Sequence, residues 1–210
     1  MQWTLVIPLK PLVRAKSRLA PAAGGLRPDL ALAFAQDTVA AARACPAVGD
    51  VVVVTDDALA GRELAALGAR IVPDTPRAGL NAALAHGAAA VRAPRPAAAV
   101  AALNADLPAL RPAELARVLG AAAAFPRAFL PDAAGIGTTL LSAGPGAELL
   151  PAFGTGSRSR HTASGAVELV PGEVDSVRQD VDTGDDLRTA LILGVGPYTA
   201  RAAAGLLSMD

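Results

Sequence analysis

Apolar runs of strand length recur at residues 3–8, 50–55, 69–73, 98–103 and 127–131, each ended or followed by Pro, Asp or Asn. Between them lie 29–44, 57–67, 77–91 and 112–124, rich in Ala and Leu and long enough for helices. This alternation predicts an α/β fold with a mostly parallel central sheet and helices on both faces, because parallel strands need crossovers and those crossovers cover the sheet. Pro112 suits the first turn of its helix, where an N–H has no intrahelical partner in any case. Beyond residue 131 the apolar pieces shorten and Gly and Ser increase, with strands expected at 138–142, 166–169 and 176–180. A last helix is expected from about residue 183, where Asp185 and Asp186 would meet the positive end of the helix dipole.

At 210 residues the chain is read as one domain, 1–210, with lobes at about 1–110 and 111–210 and no internal repeat. Hydrophobic residues make up 52% but aromatics only 3%, so the core is built from Ala, Val and Leu. Nineteen basic residues balance nineteen acidic ones, which argues against a nucleic-acid partner bound through bulk positive charge. The distribution is less even than the total: residues 1–28 hold Lys10, Arg14, Lys16, Arg18 and Arg27 and no acid, the makings of an anion site. Cys45 is the single cysteine, so an intramolecular disulfide is impossible and a cytoplasmic setting is expected. Only His86 and His161 could join it around zinc, too few for a structural site. No apolar stretch approaches the ~20 residues of a membrane span, so no membrane partner is expected.

Four stretches carry the chemistry. Lys10, Lys16 and Arg18 follow the first strand and would stand at the carboxyl end of the sheet, where open α/β folds bind ligands and a triphosphate could sit. Asn104-Ala105-Asp106-Leu107-Pro108 ends a buried strand and presents a carboxylate there, a hard oxygen donor suited to magnesium. Asp180-Val181-Asp182-Thr183 would project two carboxylates to one side if the strand continues through it. Each acidic motif can equally be a helix cap or turn. Gly135-Ile136-Gly137-Thr138-Thr139 and Phe153-Gly154-Thr155-Gly156-Ser157-Arg158 offer hydroxyls and backbone amides to a small anion, although such loops are also ordinary turns. His161 can orient a substrate or cap a local helix. No Walker A loop, Gly-x-Gly-x-x-Gly fingerprint or Gly-x-Ser-x-Gly elbow is present.

Together these motifs, in this order, resemble the 2-phospho-L-lactate and phosphoenolpyruvate guanylyltransferases of coenzyme F-420 biosynthesis. The residues that carry the likeness are Pro8-Leu9-Lys10, Ala15 to Leu19, Asp106-Leu107-Pro108, Gly137-Thr138, Phe153-Gly154, Ser157, Arg160-His161 and Asp180 to Thr183. The resemblance implies a nucleotidyltransferase fold similar to the A-type glycosyltransferases, with GTP in the first half and a phosphorylated carboxylic acid in the second. It implies magnesium on Asp106, Asp180 and Asp182, acid contacts from Thr138, Gly154 and Ser157, and a nucleotide-side role for Asn81. Lys10, Lys16 and Arg18 would neutralise phosphate charge during transfer. The implied reaction joins GTP and phosphoenolpyruvate to give enolpyruvyl-diphospho-guanosine and pyrophosphate. 2-Phospho-L-lactate, 3-phosphoglycerate, a sugar phosphate or molybdopterin are alternative acceptors, a catalytically silent nucleotide-binding protein is the alternative of another class, and a homodimer is compatible with all of them.

Overall fold

The computed structural model describes residues 1–19 and 23–207. Seven strands form one sheet: β1 (Trp3–Pro8), β2 (Val48–Val54), β3 (Arg70–Val72), β4 (Ala99–Leu103), β5 (Arg127–Pro131), β6 (Thr138–Ala143) and β7 (Val167–Glu168). Their order is β3-β2-β1-β4-β6-β5-β7. Neighbours run parallel except at β6, which opposes both β4 and β5.

The helices are α1 (Arg27–Ala44), α2 (Ala58–Ala66), α3 (Leu80–Arg92), α4 (Pro112–Ala122), α5 (Ser157–Ala163), α6 (Asp175–Arg178), α7 (Gly184–Leu193) and α8 (Pro197–Leu207). Side chains alternate across a strand, so β1 feeds two cores. Trp3, Leu5 and Ile7 pack with Val51 and Val53 against Ala35 and Val39 of α1, Leu64 of α2 and Leu115 of α4. Val6, Val52 and Val54 face the other way, onto Leu84, Ala88 and Val91 of α3. Burial on both faces explains why these strands read as unbroken apolar runs. Helix α3 lies so close to the sheet that a Cβ at Gly87 would stand 2.5 Å from Val6 Cγ1 and 2.7 Å from Val54 Cγ2. Only glycine permits that approach.

Three departures from the expected elements have local causes. The strand anticipated at 176–180 is instead the short helix α6, because the buried carboxylate of Glu114 accepts both the Ser176 amide (2.9 Å) and its hydroxyl (2.7 Å). Helix α3 begins at Leu80 rather than 77, since Gly79 has φ +95° and cannot be helical. Helices α5 and α8 were not anticipated. The amino end of α8 is capped from outside by the buried Asp37 of α1, which accepts from the amides of Tyr198 (3.1 Å) and Thr199 (2.7 Å). Thr183 caps α7 through a reciprocal box with Asp186, intact despite Gly184 in the first helical position.

A third apolar cluster of Leu19, Leu30, Phe34, Ala109, Val181, Leu187 and Ala190 draws together the basic loop, the Asp106 turn and the Asp180–Asp182 segment. Among the described residues, no helix is long and apolar enough to cross a membrane.

Candidate active site

Beyond β1 the chain makes two short turns, Leu12–Arg14 and Ser17–Leu19. They are held from outside: Arg27 donates to the carbonyls of Val13 (2.9 Å) and Ala15, and the Leu12 amide donates to Asp57 Oδ2 (2.9 Å). Lys16 adopts φ +55° between the turns. A non-glycine residue there costs about 1–2 kcal/mol, so the surrounding contacts must hold it. Its ammonium bonds Asp106 Oδ2 and, at 2.9 Å, Asp182 Oδ1.

The two acidic motifs are brought to Lys16 by the backbone. Asn104 continues from β4 with its amide on Thr139 O (3.0 Å), and the buried Thr38 hydroxyl accepts the Leu107 amide (3.1 Å), fixing the turn that carries Asp106. The Val181 amide then donates to Asp106 O at 3.1 Å, which sets Asp180 and Asp182 on either side of that link. Asn104 extends the cluster: its amide nitrogen reaches Asp180 Oδ2 (3.5 Å) and Thr138 O (3.4 Å). Arg18 is exposed, 3.9 Å from Asp182 Oδ2, and Lys10 is exposed at the end of β1, near enough for Asp182 to feel its charge.

Burial disfavours the Lys16 ammonium, but the charges of Asp106 and Asp182 outweigh it and its pKa lies above the usual lysine value. Burial likewise raises Asp182, and Lys16, with Arg18 and Lys10, more than reverses that, leaving it below the usual carboxylate range. Asp180 also feels the Lys16 charge, which lowers its pKa, but there the opposing effects win. Burial first, then the charges of Asp106 and Asp182, push its carboxyl well above the ordinary value.

These residues fit magnesium. Asp106 Oδ1 is buried with no hydrogen-bond partner, and the charge of Lys16 does not offset the burial of Asp180 and its repulsion by Asp106 and Asp182. Among the described residues no three His, Cys, Asp or Glu side chains are gathered closely enough to hold a metal by themselves. A magnesium ion held here would therefore have to take further ligands from substrate phosphates and water.

Beside this cluster the second half of the chain lines a hydroxyl-bearing region. Thr138 opens β6 and is buried, with Oγ1 2.9 Å from His161 Nδ1. Ser157 opens α5, and its Oγ is buried without a partner. Gly154, at φ +113°, gives the intervening loop a backbone shape that side-chain-bearing residues rarely adopt. Arg160 braces this loop by donating to Ala152 O (3.0 Å) and Thr155 O. Arg158 forms a two-pronged pair with Glu168 on β7 (2.9 and 2.7 Å).

Two sequence expectations change here. The amide of Asn81 meets the Phe153 backbone at both ends, Nδ2 donating to its carbonyl (3.1 Å) and Oδ1 accepting from its N–H (2.7 Å). It braces the loop that carries Phe153 and Gly154. The amides of Ile136 and Gly137 are not open to a ligand either, because Asp132 accepts both (2.9 and 2.8 Å). A Cβ on Gly137 would stand 2.2 Å from that carboxylate, which is why glycine is there. The sequence motifs did not single out Asp132, Asn104 or Thr38. Asn104 lay inside the quoted acidic motif, whereas the other two carried no local signal.

The model of the MobA-like NTP transferase domain matches residues 32–164. A phosphoenolpyruvate guanylyltransferase of Streptomyces coelicolor is 77% identical over 208 residues, covering 99% of this chain and 98% of its own. The Streptomyces avermitilis protein of that name is 78% identical, covering 99% and 96%. Among solved structures, a Methanothermobacter nucleotidyl transferase shares the fold at TM-score 0.60 and 20% identity, covering 91% of this chain and 97% of its own. A Mycobacterium tuberculosis protein solved in complex with manganese is 26% identical at TM-score 0.56, covering 91% and 98%. With the domain match over residues 32–164 and relatives at 77% and 78% identity across nearly the whole chain, the chain belongs to the phosphoenolpyruvate guanylyltransferase family of MobA-like nucleotidyltransferases.

Proposed function

We propose that this protein transfers GMP from GTP to the phosphate of phosphoenolpyruvate, giving enolpyruvyl-diphospho-guanosine and pyrophosphate. The observation that carries the reading is the junction of Asp106, Lys16 and Asp182, a charge cluster at the carboxyl end of the sheet beside the buried hydroxyls of Thr138 and Ser157. An oxygen of the acid's phosphate forms a bond to the α-phosphorus of GTP, and the bond from that phosphorus to the bridging oxygen breaks, releasing pyrophosphate. A phosphate dianion is already ionised at neutral pH, so no proton has to be removed from the attacking atom.

Asp106, Asp180 and Asp182 would hold magnesium together with phosphates of GTP and water, and the ion would supply neutralisation of phosphate charge. Lys10 and Arg18, exposed at the same edge, bind the triphosphate, and Lys16 supplies positive charge at its base. Thr138, Ser157 and the Gly154 backbone orient the acid through its carboxylate. Alignment and charge neutralisation then supply the catalysis. The site is expected to work in the cytoplasm, and its product is a precursor for coenzyme F-420.

Pyrophosphate release from GTP, followed with phosphoenolpyruvate, 2-phospho-L-lactate, 3-phosphoglycerate and a sugar phosphate in turn, tests the proposal. Phosphoenolpyruvate should turn over fastest, and Asp106→Ala should remove most turnover while the protein stays folded. Preference for the sugar phosphate would refute it. A magnesium-dependent thermal shift with GTP but no pyrophosphate from any acid would mark a silent nucleotide-binding protein.

A further inference from the structure

His161 is fully buried, and both of its ring nitrogens are engaged. The Ala152 backbone N–H donates to Nε2 at 3.0 Å, and Nδ1 lies 2.9 Å from Thr138 Oγ1. A backbone N–H can only donate, so Nε2 carries no proton, and the neutral ring must bear its hydrogen on Nδ1. That hydrogen points at Thr138. Phe129 and Phe153, two of only four phenylalanines in the chain, flank the ring at centroid distances of 5.6 and 5.1 Å and fix its plane.

We propose that His161 is a positioning residue that sets the polarity of Thr138: by donating Nδ1–H to Oγ1 it turns the threonine's own hydrogen outward, so that Thr138 donates to a carboxylate oxygen of the bound acid. The proposal rests on the reading that Thr138 faces the acid. A threonine hydroxyl with a free rotor accepts or donates equally well, and would tolerate a hydroxyl or amide in place of a carboxylate. Once Oγ1 is committed as acceptor to the ring, the site requires an acceptor from its ligand. A carboxylate is acceptor-only, whereas the corresponding primary amide can present its NH2 donors and leave the Thr138 hydrogen unpaired. Burial, followed by the charges of Arg127 and Arg160, depresses the ring's pKa to about 4, so the neutral form persists at neutral pH.

Two near-isosteric substitutions separate this role from that of bracing the loop. In His161→Asn the amide reaches the position of Nδ1 and still donates to Thr138, but not that of Nε2. In His161→Gln the amide oxygen reaches the position of Nε2 and still accepts from Ala152, but nothing donates to Thr138. With the acid that supports pyrophosphate release, His161→Gln should lower kcat/KM for the acid roughly 10- to 100-fold while leaving KM for GTP within about twofold. His161→Asn should stay within about threefold of the parent, and adding His161→Gln to Thr138→Val should cost almost nothing more, because the two act in series.

Equal losses in the Asn and Gln variants, or a full additional loss on top of Thr138→Val, would overturn the proposal. Imidazole 15N spectra of the ligand-free parent give a reading that needs neither folding of a variant nor turnover. With His86 replaced by Gln for assignment, the remaining ring should show the Nδ1–H tautomer at neutral pH, and an Nε2–H ring or one that titrates near 6.5 would refute it. Should no acid support pyrophosphate release, the functional reading fails while the tautomer stands or falls separately.

Discussion

Replacing Lys16 by Met keeps the apolar stem of the side chain and removes the one charge that joins the two acidic motifs. The contact with Asp106 is the buried one, with side chains 12% and 17% exposed. Removing one partner of a buried pair costs about 3–5 kcal/mol. The contact with Asp182 is worth under about 1 kcal/mol, because that carboxylate is 51% exposed and water screens it. Asp106 keeps some solvent contact and can relax toward it, so a net loss of about 2–4 kcal/mol is expected, on the low side of the buried-pair range. A chain of this length loses roughly 2–4 °C per kcal/mol, placing the drop in unfolding midpoint at about 4–16 °C in metal-free buffer at neutral pH.

Magnesium should then raise the midpoint of Lys16→Met more than that of the parent, because no ammonium competes for Asp106 and Asp182. Turnover should fall about 100- to 1000-fold, the cost of removing one preorganised charge from a transferring phosphate. A metal-free midpoint within about 1 °C of the parent, or an equal magnesium shift in the two proteins, would refute the assignment of Lys16 as the internal counter-charge.

Other consequences are open to simple measurement. Asp180→Asn should raise metal-free stability at pH 7 by about 1–2 kcal/mol while abolishing magnesium-dependent turnover, a trade of stability for function. The sign follows from the raised folded-state pKa: the native state keeps a proton that the unfolded state releases, so stability falls as pH rises above about 4, and the variant's advantage should grow between pH 5 and 8 in denaturant titrations. His161 has the opposite sense. Its folded pKa of about 4 lies below the unfolded 6.5, so its contribution is complete above pH 6.5 and is lost as pH falls toward 4, by about 2–4 kcal/mol. The difference between the parent and His161→Gln across that range isolates the slope, and parallel curves would contradict it. Asn81→Ala should raise KM for the acid about 10- to 100-fold with little change in KM for GTP, since both ends of its amide hold Phe153. The reverse pattern would return Asn81 to the nucleotide.

What could be read from the sequence divides along physical lines. Trp3–Pro8 and Arg127–Pro131 form strands with the expected bounds because their surroundings bury both faces and leave an uninterrupted apolar run. The segment at 176–180 misled because its helical turn depends on Glu114, sixty residues earlier in the chain and silent in any local window. Helix α8 carried one start signal, Pro197, and its cap comes from Asp37 across the fold. At the site, the carboxylates of Asp106, Asp180 and Asp182 stood out through their joint presence at strand ends, since any one Asp can also cap a helix as Asp37 does. The hydrogen-bonding groups of Asn81 and of the Ile136 and Gly137 amides suit a ligand and a neighbouring loop equally, and only tertiary structure shows that Phe153 and Asp132 meet them. His161 could be named as a candidate but its task could not, since a histidine's role lies in what its two nitrogens meet.

The reversed direction of β6 brings the start of a strand, not its end, to the reactive edge. Thr138 is thereby the first rung of a ladder paired on both sides, opposite Pro131 on β5 and leading to Leu140, which faces both Leu103 and Leu130. The β5–β6 register shifts between Leu130 and Pro131, beside Thr138, and is regular from Leu140 onward, where a slip of one residue would turn the side chains of β6 to the wrong face. The preceding loop at 132–137 is free of that constraint. It is held instead by its own contacts, Asp132 on the Ile136 and Gly137 amides and the Ala133 amide on Arg178 O, so the shape of this edge depends on that local network while the position of Thr138 depends on the sheet.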